Sequence, residues 1–143
     1  MDMTEFMQLK GLSPFRDLVG VTYSEVRDGY SRGTLEVSGD VLNAAGSVHG
    51  GAIFTLADSG MGVALMSCLN EGEICATIEN KIIYFRPVRS GELVCDSRVI
   101  SRSKRIAVME SEVRSDGQLV AKAIGTFSIS RWRGSGAPAA ADG

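Results

Sequence analysis

The segment from Gly50 to Leu69 is apolar on nearly every side, yet it carries one carboxylate, Asp58, near its middle. A helix that is apolar all round must be buried by other parts of the protein. Burial of an unpaired carboxylate costs several kcal/mol, so Asp58 needs a polar partner or a polar surface close by. The sequence therefore predicts a buried helix over about residues 49–69. Its carboxylate has either a structural role at a subunit contact or a catalytic role.

The same segment is about as long as the ~20 residues that span a bilayer. Asp58 at its centre would cost ~2.5 to 3.5 kcal/mol on insertion scales. Polar residues and glycines further dilute its apolar character, so we expect no membrane span. The net charge of −2 argues against general binding to nucleic acid or to anionic lipid.

The length of 143 residues fits one domain. We expect a domain over residues 1–133, with residues 1–18 as an N-terminal helix or lid segment. Residues 134–143 are rich in Gly, Ala and Pro and are predicted to be a disordered tail. The chain has three cysteines without CxxC spacing and no basic-apolar leader, so a disulfide framework and a secretory signal are not indicated. A cytoplasmic location is the expectation.

Alternating apolar residues predict β-strands on both sides of the helix. Residues 19–27 and 30–38 form a first hairpin across Asp28-Gly29, and residues 105–114 and 118–131 form another across Asp116-Gly117. Between them lie a strand over residues 93–99 and a long strand that ends at Pro87. The long strand is expected to present one face with Ile74, Ala76, Ile78, Ile82 and Tyr84. Asn70-Glu71-Gly72 is expected to end the helix with a left-handed glycine.

Two strands, one long helix and then four strands indicate an α+β hotdog fold, an antiparallel β-sheet wrapped around one long central helix. Six strands cannot cover every side of that helix. Part of its apolar surface and the edges of the sheet remain for another copy to bury. We therefore expect a homo-oligomer, either a dimer or a tetramer built as a dimer of dimers.

The loop before the helix supplies a second candidate functional feature. Gly50 and Gly51 leave backbone N–H groups uncovered at the positive end of the helix dipole, a suitable place for a developing oxyanion. The alternative is that both glycines only shape a turn. From His49 to Asp58 is nine positions, or ~900° of rotation and ~13.5 Å of rise. If the two parts act in one reaction, the active site must therefore lie between subunits.

The residues that identify a family are Asn43, Gly46, His49-Gly50-Gly51, Leu56-Ala57-Asp58, the run from Asn80 to Pro87, and Gly91. Over residues 15–130 this pattern resembles the phenylacetate-degradation type of hotdog-fold acyl-CoA thioesterases. The resemblance implies that Gly50 N–H polarises the thioester carbonyl with help from Asn43. It also implies that Asp58 of the other subunit is general base or nucleophile, while Thr77 helps to hold the water.

His49 is the sole histidine, and its place beside Gly50 indicates a role in positioning the loop or binding the thioester rather than in proton transfer. One histidine and scattered cysteines do not supply a metal site, and no metal or other cofactor is expected, since coenzyme A is part of the substrate. Basic residues concentrate between positions 81 and 105. Those at strand ends or turns are candidate ligands of the coenzyme A phosphates: Arg86, Arg89, Arg102, Lys104 and Arg105.

The predicted function is hydrolysis of an acyl- or aryl-CoA thioester to the free acid and coenzyme A. One alternative is a hotdog enoyl-CoA hydratase or dehydratase, although the spacing of His49 and Asp58 does not match its acid/base pair. The other alternative is a non-catalytic acyl-CoA-binding protein. The acyl group, the choice between dimer and tetramer, and the choice between base and nucleophile for Asp58 stay open at the level of sequence.

Overall fold

The computed structural model describes residues 1–134, in which six antiparallel strands form one sheet that packs against a long helix. The order along the chain is α1 (Met3–Met7), α2 (Pro14–Val19), β1 (Val21–Arg27), β2 (Tyr30–Glu36), α3 (Gly50–Met66), β3 (Glu73–Tyr84), β4 (Glu92–Arg102), β5 (Ile106–Ser115) and β6 (Gln118–Arg131). The strand order across the sheet is β1-β2-β4-β5-β6-β3, which places β1 and β3 at the edges. The predicted α+β arrangement of one sheet and one long helix is confirmed. The tail predicted to be disordered lies outside the described residues, apart from Gly134.

The two Asp-Gly turns are confirmed. Asp28 and Gly29 have φ values of 48° and 79°, and Asp116 and Gly117 have φ values of 49° and 74°. Positive φ at both central residues matches a type I′ turn, whose twist suits a two-residue hairpin. Each turn connects two strands that pair as predicted, β1 with β2 and β5 with β6.

The N-terminal segment forms α1, as predicted, and also α2, which was not predicted. Pro14 occupies the first turn of α2, where the missing proline N–H is harmless. Arg16 is only 5% exposed because its guanidinium donates to the carbonyls of Met7 (2.7 Å) and Leu9 (2.8 Å). This buried arginine ties the two helices together. The helix α1 then lies along the edge strand β1, where Thr4 Oγ1 accepts the Val26 N–H at 2.9 Å.

The end of α3 differs from the prediction. The helix ends at Met66, and its C-cap is Ser67 in the right-handed region rather than a left-handed glycine. Ser67 Oγ donates to the Ala64 carbonyl at 2.7 Å and accepts the Gly29 N–H at 2.8 Å, so one hydroxyl satisfies both the helix end and the first hairpin. Gly72, with φ of 77°, belongs to the turn into β3. None of the helices in residues 1–134 has the length and apolarity needed to span a membrane.

Three fully buried serines of the sheet, Ser31, Ser97 and Ser111, form a hydroxyl cluster under α3. Ser31 Oγ donates to the Gly60 carbonyl at 2.7 Å, Ser111 Oγ donates to the Ala57 carbonyl at 3.1 Å, and Ser97 Oγ lies 2.6 Å from Ser111 Oγ. A Cβ at Gly60 would lie 2.5 Å from Ser97 Oγ, so glycine is required for this close approach. The cluster fixes the helix in rotation and in position along its axis.

The edge strand β3 contains a bulge that the sequence pattern did not reveal. Its pairing with β6 shifts register between Thr77 and Glu79. After the bulge, Ile82 and Tyr84 face α3 as predicted, but before it the faces are exchanged. Cys75 and Thr77 contact α3, so the prediction that Ile74, Ala76 and Ile78 share the face of Ile82 and Tyr84 is wrong. One extra residue in a strand reverses the alternation of its side chains.

Candidate active site

Asp58 lies on the side of α3 that faces β3, and its carboxylate is held by two side chains of that strand. Thr77 Oγ1 donates to Asp58 Oδ1 at 2.8 Å, and Asn80 Nδ2 donates to the same oxygen at 2.5 Å. Within residues 1–134, Asp58 Oδ2 has no hydrogen-bond partner. The carboxylate therefore has one oxygen fixed by two donors and a second oxygen available to another molecule.

The bulge in β3 is the reason that both donors reach Asp58. Residues three apart in a regular strand point to opposite faces of the sheet, so Thr77 and Asn80 would be separated. The register shift between Thr77 and Glu79 adds one residue and returns Asn80 to the helix side. Bulges are common beside active sites because they redirect side chains in this way.

At the start of α3, His49 is the N-cap and its imidazole folds back over the first turn. His49 Nδ1 accepts the Gly51 N–H at 2.8 Å, which places the proton of the neutral ring on Nε2. A Cβ at Gly51 would lie 2.9 Å from His49 Nδ1, so the ring needs glycine beneath it. The His49 side chain is exposed, and its Nε2 is a hydrogen-bond donor rather than a base in this tautomer.

The Gly50 N–H is the free donor of this helix start. Gly51 donates to the His49 ring, and the N–H groups of Ala52 and Ile53 donate to the His49 carbonyl at 2.9 and 3.3 Å. For the Gly50 N–H, residues 1–134 provide no acceptor. An N–H left open at the positive end of a helix is suited to a negatively charged oxygen.

Tyr84, at the far end of β3, fixes the position of Gly50. Its Oη donates to the Gly50 carbonyl at 2.8 Å, and its ring lies 3.3 Å from the position of a Cβ at Gly50. Burial raises the pKa of the Tyr84 hydroxyl, so the phenol stays protonated and remains a donor well above neutral pH. Beside this contact is an open cleft of about 320 Å³, lined by Val48, Gly50, Ile53, Tyr84, Phe85, Arg86 and Pro87.

Asn43 organises the loop that leads into the helix. Its Oδ1 accepts the N–H groups of Ala45 (2.9 Å) and Ser47 (3.2 Å), and its Nδ2 lies 3.1 Å from Ser47 Oγ. Arg89 Nη1 donates to the Ala45 carbonyl at 2.9 Å and holds the loop from the other side. The loop thus has its own internal bonds, and a second hydrogen of the Asn43 amide is left over for a ligand.

The two parts of the candidate site do not meet within one chain. Asp58 follows Gly50 by eight residues of α3, a rise of ~12 Å. The residues of β3 that hold them, Asn80 and Tyr84, are four residues apart, or ~13 Å in an extended strand. Thr77 and Asn80 surround Asp58 at the middle of β3, whereas Tyr84, His49 and Gly50 form a separate group at its end.

The basic residues predicted to bind phosphate fall into two groups. Arg86, Arg89 and Arg102 have acceptors within the chain: Arg86 Nη1 donates to Gln118 Oε1 at 2.5 Å, and Arg102 forms a salt bridge of 2.7 Å with Glu73. Lys104 and Arg105 instead line an open cavity of about 790 Å³ near the beginning of β3, together with Arg131, Trp132 and Arg133. Glu73 also lines this cavity. The pKa of its carboxyl group is lowered mainly because it accepts the Asn70 N–H, and Arg102 lowers it further.

Asn80 and Tyr84 were not identified as site residues from the sequence, although both lie in the run that carries the resemblance. The available signal was a single side-chain amide in a strand with four isoleucines. Without knowledge of the bulge, alternation from Tyr84 puts Asn80 on the helix side but Thr77 on the other. Arg131, Trp132 and Arg133 were also missed, because they lie at or just after the end of the last predicted strand and carry no motif.

The comparisons with known proteins agree with this fold. The model of the family described as "Thioesterase superfamily" matches residues 45–122. The solved structure of the conserved protein PA5202 from Pseudomonas aeruginosa is similar over 82% of this chain and 94% of that one, with 38% identity and a TM-score of 0.80. A mutant of the phenylacetic acid degradation protein PaaI from Thermus thermophilus is similar over 81% and 98%, with 29% identity and a TM-score of 0.76.

Among curated proteins, acyl-coenzyme A thioesterase 13 of Homo sapiens is 29% identical over 91 residues, which are 62% of this chain and 64% of the relative. These matches favour the predicted thioester hydrolase over the hydratase and the non-catalytic binding protein. The chain belongs to the thioesterase superfamily and has the hotdog fold of its relatives, as the resemblance in its sequence implies.

Proposed function

We propose that this protein hydrolyses acyl-CoA thioesters, with Asp58 as general base. The observation that carries the proposal is the state of the Asp58 carboxylate, which is held through Oδ1 by Thr77 and Asn80 while Oδ2 is left open. A base needs a fixed orientation and one free oxygen within reach of a water. The family match supports thioester hydrolysis, and the similarity to an acyl-coenzyme A thioesterase supports coenzyme A as the thiol.

The site is proposed to form between two subunits of a dimer. Within one chain Asp58 and Gly50 are too far apart to act on one carbonyl group. The strand β3 pairs with β6 on one side and, within residues 1–134, with no strand on the other. Ile78 and Ile83 of this strand are 55% and 49% exposed in the single chain. Antiparallel pairing of two β3 edges would bury them and would bring Gly50 of the partner subunit towards Asp58.

In the proposed reaction, Asp58 Oδ2 takes a proton from water while the water oxygen attacks the thioester carbonyl carbon. The electron pair of the carbonyl moves to its oxygen, which accepts the Gly50 N–H of the partner subunit. Collapse of this intermediate breaks the C–S bond, and the coenzyme A thiolate leaves and takes up the proton that Asp58 accepted from water, which restores the carboxylate. His49 Nε2–H and the spare hydrogen of Asn43 are additional donors at the same end of the helix.

The cavity with Lys104 and Arg105 is the proposed site of the coenzyme A nucleotide. Its cations Lys104, Arg105, Arg131 and Arg133 suit phosphate groups, and the ring of Trp132 provides a surface for stacking a base. The cavity begins at Glu73, four residues from Thr77 along β3. This separation of ~13 Å is within reach of an extended pantetheine arm.

The test of the proposed chemistry is thiol release from a panel of acyl- and aryl-CoA thioesters by the parent protein and by Asp58→Asn. Loss of a positioned general base lowers kcat by about 10²- to 10⁴-fold. Asn has the shape of Asp, so the circular dichroism spectrum and the thermal midpoint should stay close to those of the parent. Parent-like turnover in Asp58→Asn would refute the assignment of the base.

The intersubunit site has its own test, which uses two inactive variants. Asp58→Asn removes the base, and Gly50→Pro removes the N–H donor. Co-expression with different tags, followed by purification through both tags, yields dimers with one subunit of each kind. Such a dimer contains one site with both functional groups intact, so it should regain about half of the parent activity. If each site used residues of one chain only, these mixed dimers would stay inactive.

A further inference from the structure

The side-chain amide of Asn80 is partly buried in an arrangement that packing alone does not explain. Its Oδ1 is fully buried and finds no hydrogen-bond donor within residues 1–134. A buried polar atom without a partner destabilises the fold, so an apolar side chain of similar shape would suit this position better. The amide must therefore contribute something through its other end, the Nδ2 group.

The surroundings of Asn80 fix which end of the amide points to Asp58. Asn80 Oδ1 sits over Gly125 of β6, at only 2.2 Å from the position that a Cβ there would occupy. Any residue other than glycine at 125 would displace the amide. With the oxygen seated over Gly125, Nδ2 points at Asp58 Oδ1 at 2.5 Å. The reverse orientation would place the amide oxygen against the carboxylate, where two acceptors repel each other.

We propose that Asn80 is a positioning residue that holds Asp58 Oδ1, so that Oδ2 is the oxygen that acts on the water. This inference rests on the proposed function. Thr77 donates to the same oxygen, so the two side chains act as a pair from opposite sides of the β3 bulge. Asn80 differs from Thr77 in being partly buried and locked by Gly125, which makes it the more rigid of the two supports.

The test compares kcat, KM and the thermal midpoint in Asn80→Leu, which keeps the approximate shape but removes both the donor and the buried oxygen. We expect kcat to fall by about 10- to 100-fold, as for the loss of a hydrogen bond to a charged group. KM should stay within about twofold, because Asn80 acts on Asp58 rather than on the ground-state substrate. The thermal midpoint should not fall, because the unpaired oxygen is gone. Asn80→Ala, which cannot clash, should give the same fall in kcat.

Two controls separate this role from others. Ser128→Ala removes a hydrogen bond of 3.3 Å from β6 to the Ala76 carbonyl of β3, away from Asp58, and should leave kcat within about twofold. The double variant Asp58→Asn/Asn80→Leu should be no slower than Asp58→Asn alone, since Asn80 acts through the carboxylate.

The outcomes that overturn the inference are distinct from failure of the proposed function. Parent-like kcat in both Asn80→Leu and Asn80→Ala, with Asp58→Asn inactive, removes Asn80 from the mechanism but keeps the base. A fall of kcat together with the thermal midpoint makes Asn80 a structural residue only. A raised KM with unchanged kcat makes it a binding residue. Parent-like turnover in Asp58→Asn instead refutes the proposed function itself.

Discussion

Replacement of Gly50 by proline would remove an N–H group that has no acceptor within residues 1–134, with little change to the backbone. Gly50 is the first residue of α3, the position at which proline is favoured in helices. The preceding residue, His49, has φ of −59° and ψ of 133°, and this ψ lies outside the helical region and in the range that a following proline favours. The substitution is therefore expected to preserve the helix and delete the proposed oxyanion donor.

The size of the effect follows from two terms. Removal of one oxyanion-hole donor lowers kcat by about 10²- to 10³-fold, or about 2.7 to 4 kcal/mol. The proline also adds a Cβ, which would lie 3.3 Å from the ring and hydroxyl of Tyr84 and would press on that side chain by a few tenths of an ångström. Gly50→Ala adds the same Cβ but keeps the N–H. The ratio of the two variants thus removes the effect of the Cβ and reports the replacement of the N–H by the proline ring.

The measurement is kcat for thiol release from one acyl-CoA by the parent, Gly50→Ala and Gly50→Pro, with thermal midpoints as a check on folding. We expect Gly50→Ala to stay within about tenfold of the parent and Gly50→Pro to be at least ~10²-fold slower. Equal kcat in the alanine and proline variants, both folded, would mean that the Gly50 N–H does not stabilise the transition state.

Two further predictions concern the residues around this site. Gly51→Ala would displace the His49 ring, because the new Cβ would lie 2.9 Å from Nδ1. Since the displaced ring no longer places its Nε2–H donor, we expect kcat/KM to fall by about 3- to 10-fold. Its free energy of unfolding should change by less than ~1 kcal/mol, because the lost cap offsets the gain in helix propensity. Gly62→Ala, whose Cβ would make an ordinary contact of 3.7 Å, is the matched control in α3. Arg105→Glu should raise KM for acyl-CoA by about tenfold but leave the same acyl thioester of N-acetylcysteamine unaffected; an equal change for both thioesters would place the nucleotide elsewhere.

The turns and the overall architecture could be predicted because they depend on local chemistry and on periodicity. The Asp-Gly pairs at 28–29 and 116–117 match a backbone conformation that few other residues adopt, so both hairpins are found where expected. The apolar run of α3 likewise predicts a buried helix, and its single carboxylate predicts a polar partner or a functional role for Asp58. Thr77 was identified as a site residue through the resemblance rather than through the strand pattern, and its hydrogen bond to Asp58 was not predicted.

The sequence could not reveal features that arise from contacts between distant segments. The bulge at residues 77–79 depends on pairing with β6, and it reversed the expected face of the first half of β3. The end of α3 is capped by the Ser67 hydroxyl, which also accepts the Gly29 N–H of the first hairpin. No pattern in the sequence near Ser67 predicts this contact. Asn80 was missed for the same reason, because its partners are Asp58 on the helix and Gly125 on another strand.

The hydroxyl cluster of Ser31, Ser97 and Ser111 has a consequence for how a two-site enzyme of this kind would behave. In the proposed dimer each α3 would serve both sites, one through Gly50 and the other through Asp58. If α3 could slide along its axis, one active site would tighten while the other loosened. Ligand binding at the first site would then change the affinity of the second. Hydrogen bonds from the Ser31 and Ser111 hydroxyls to the Gly60 and Ala57 carbonyls prevent this sliding of the helix. Both centres should then turn over independently, with simple saturation kinetics and no cooperativity between them.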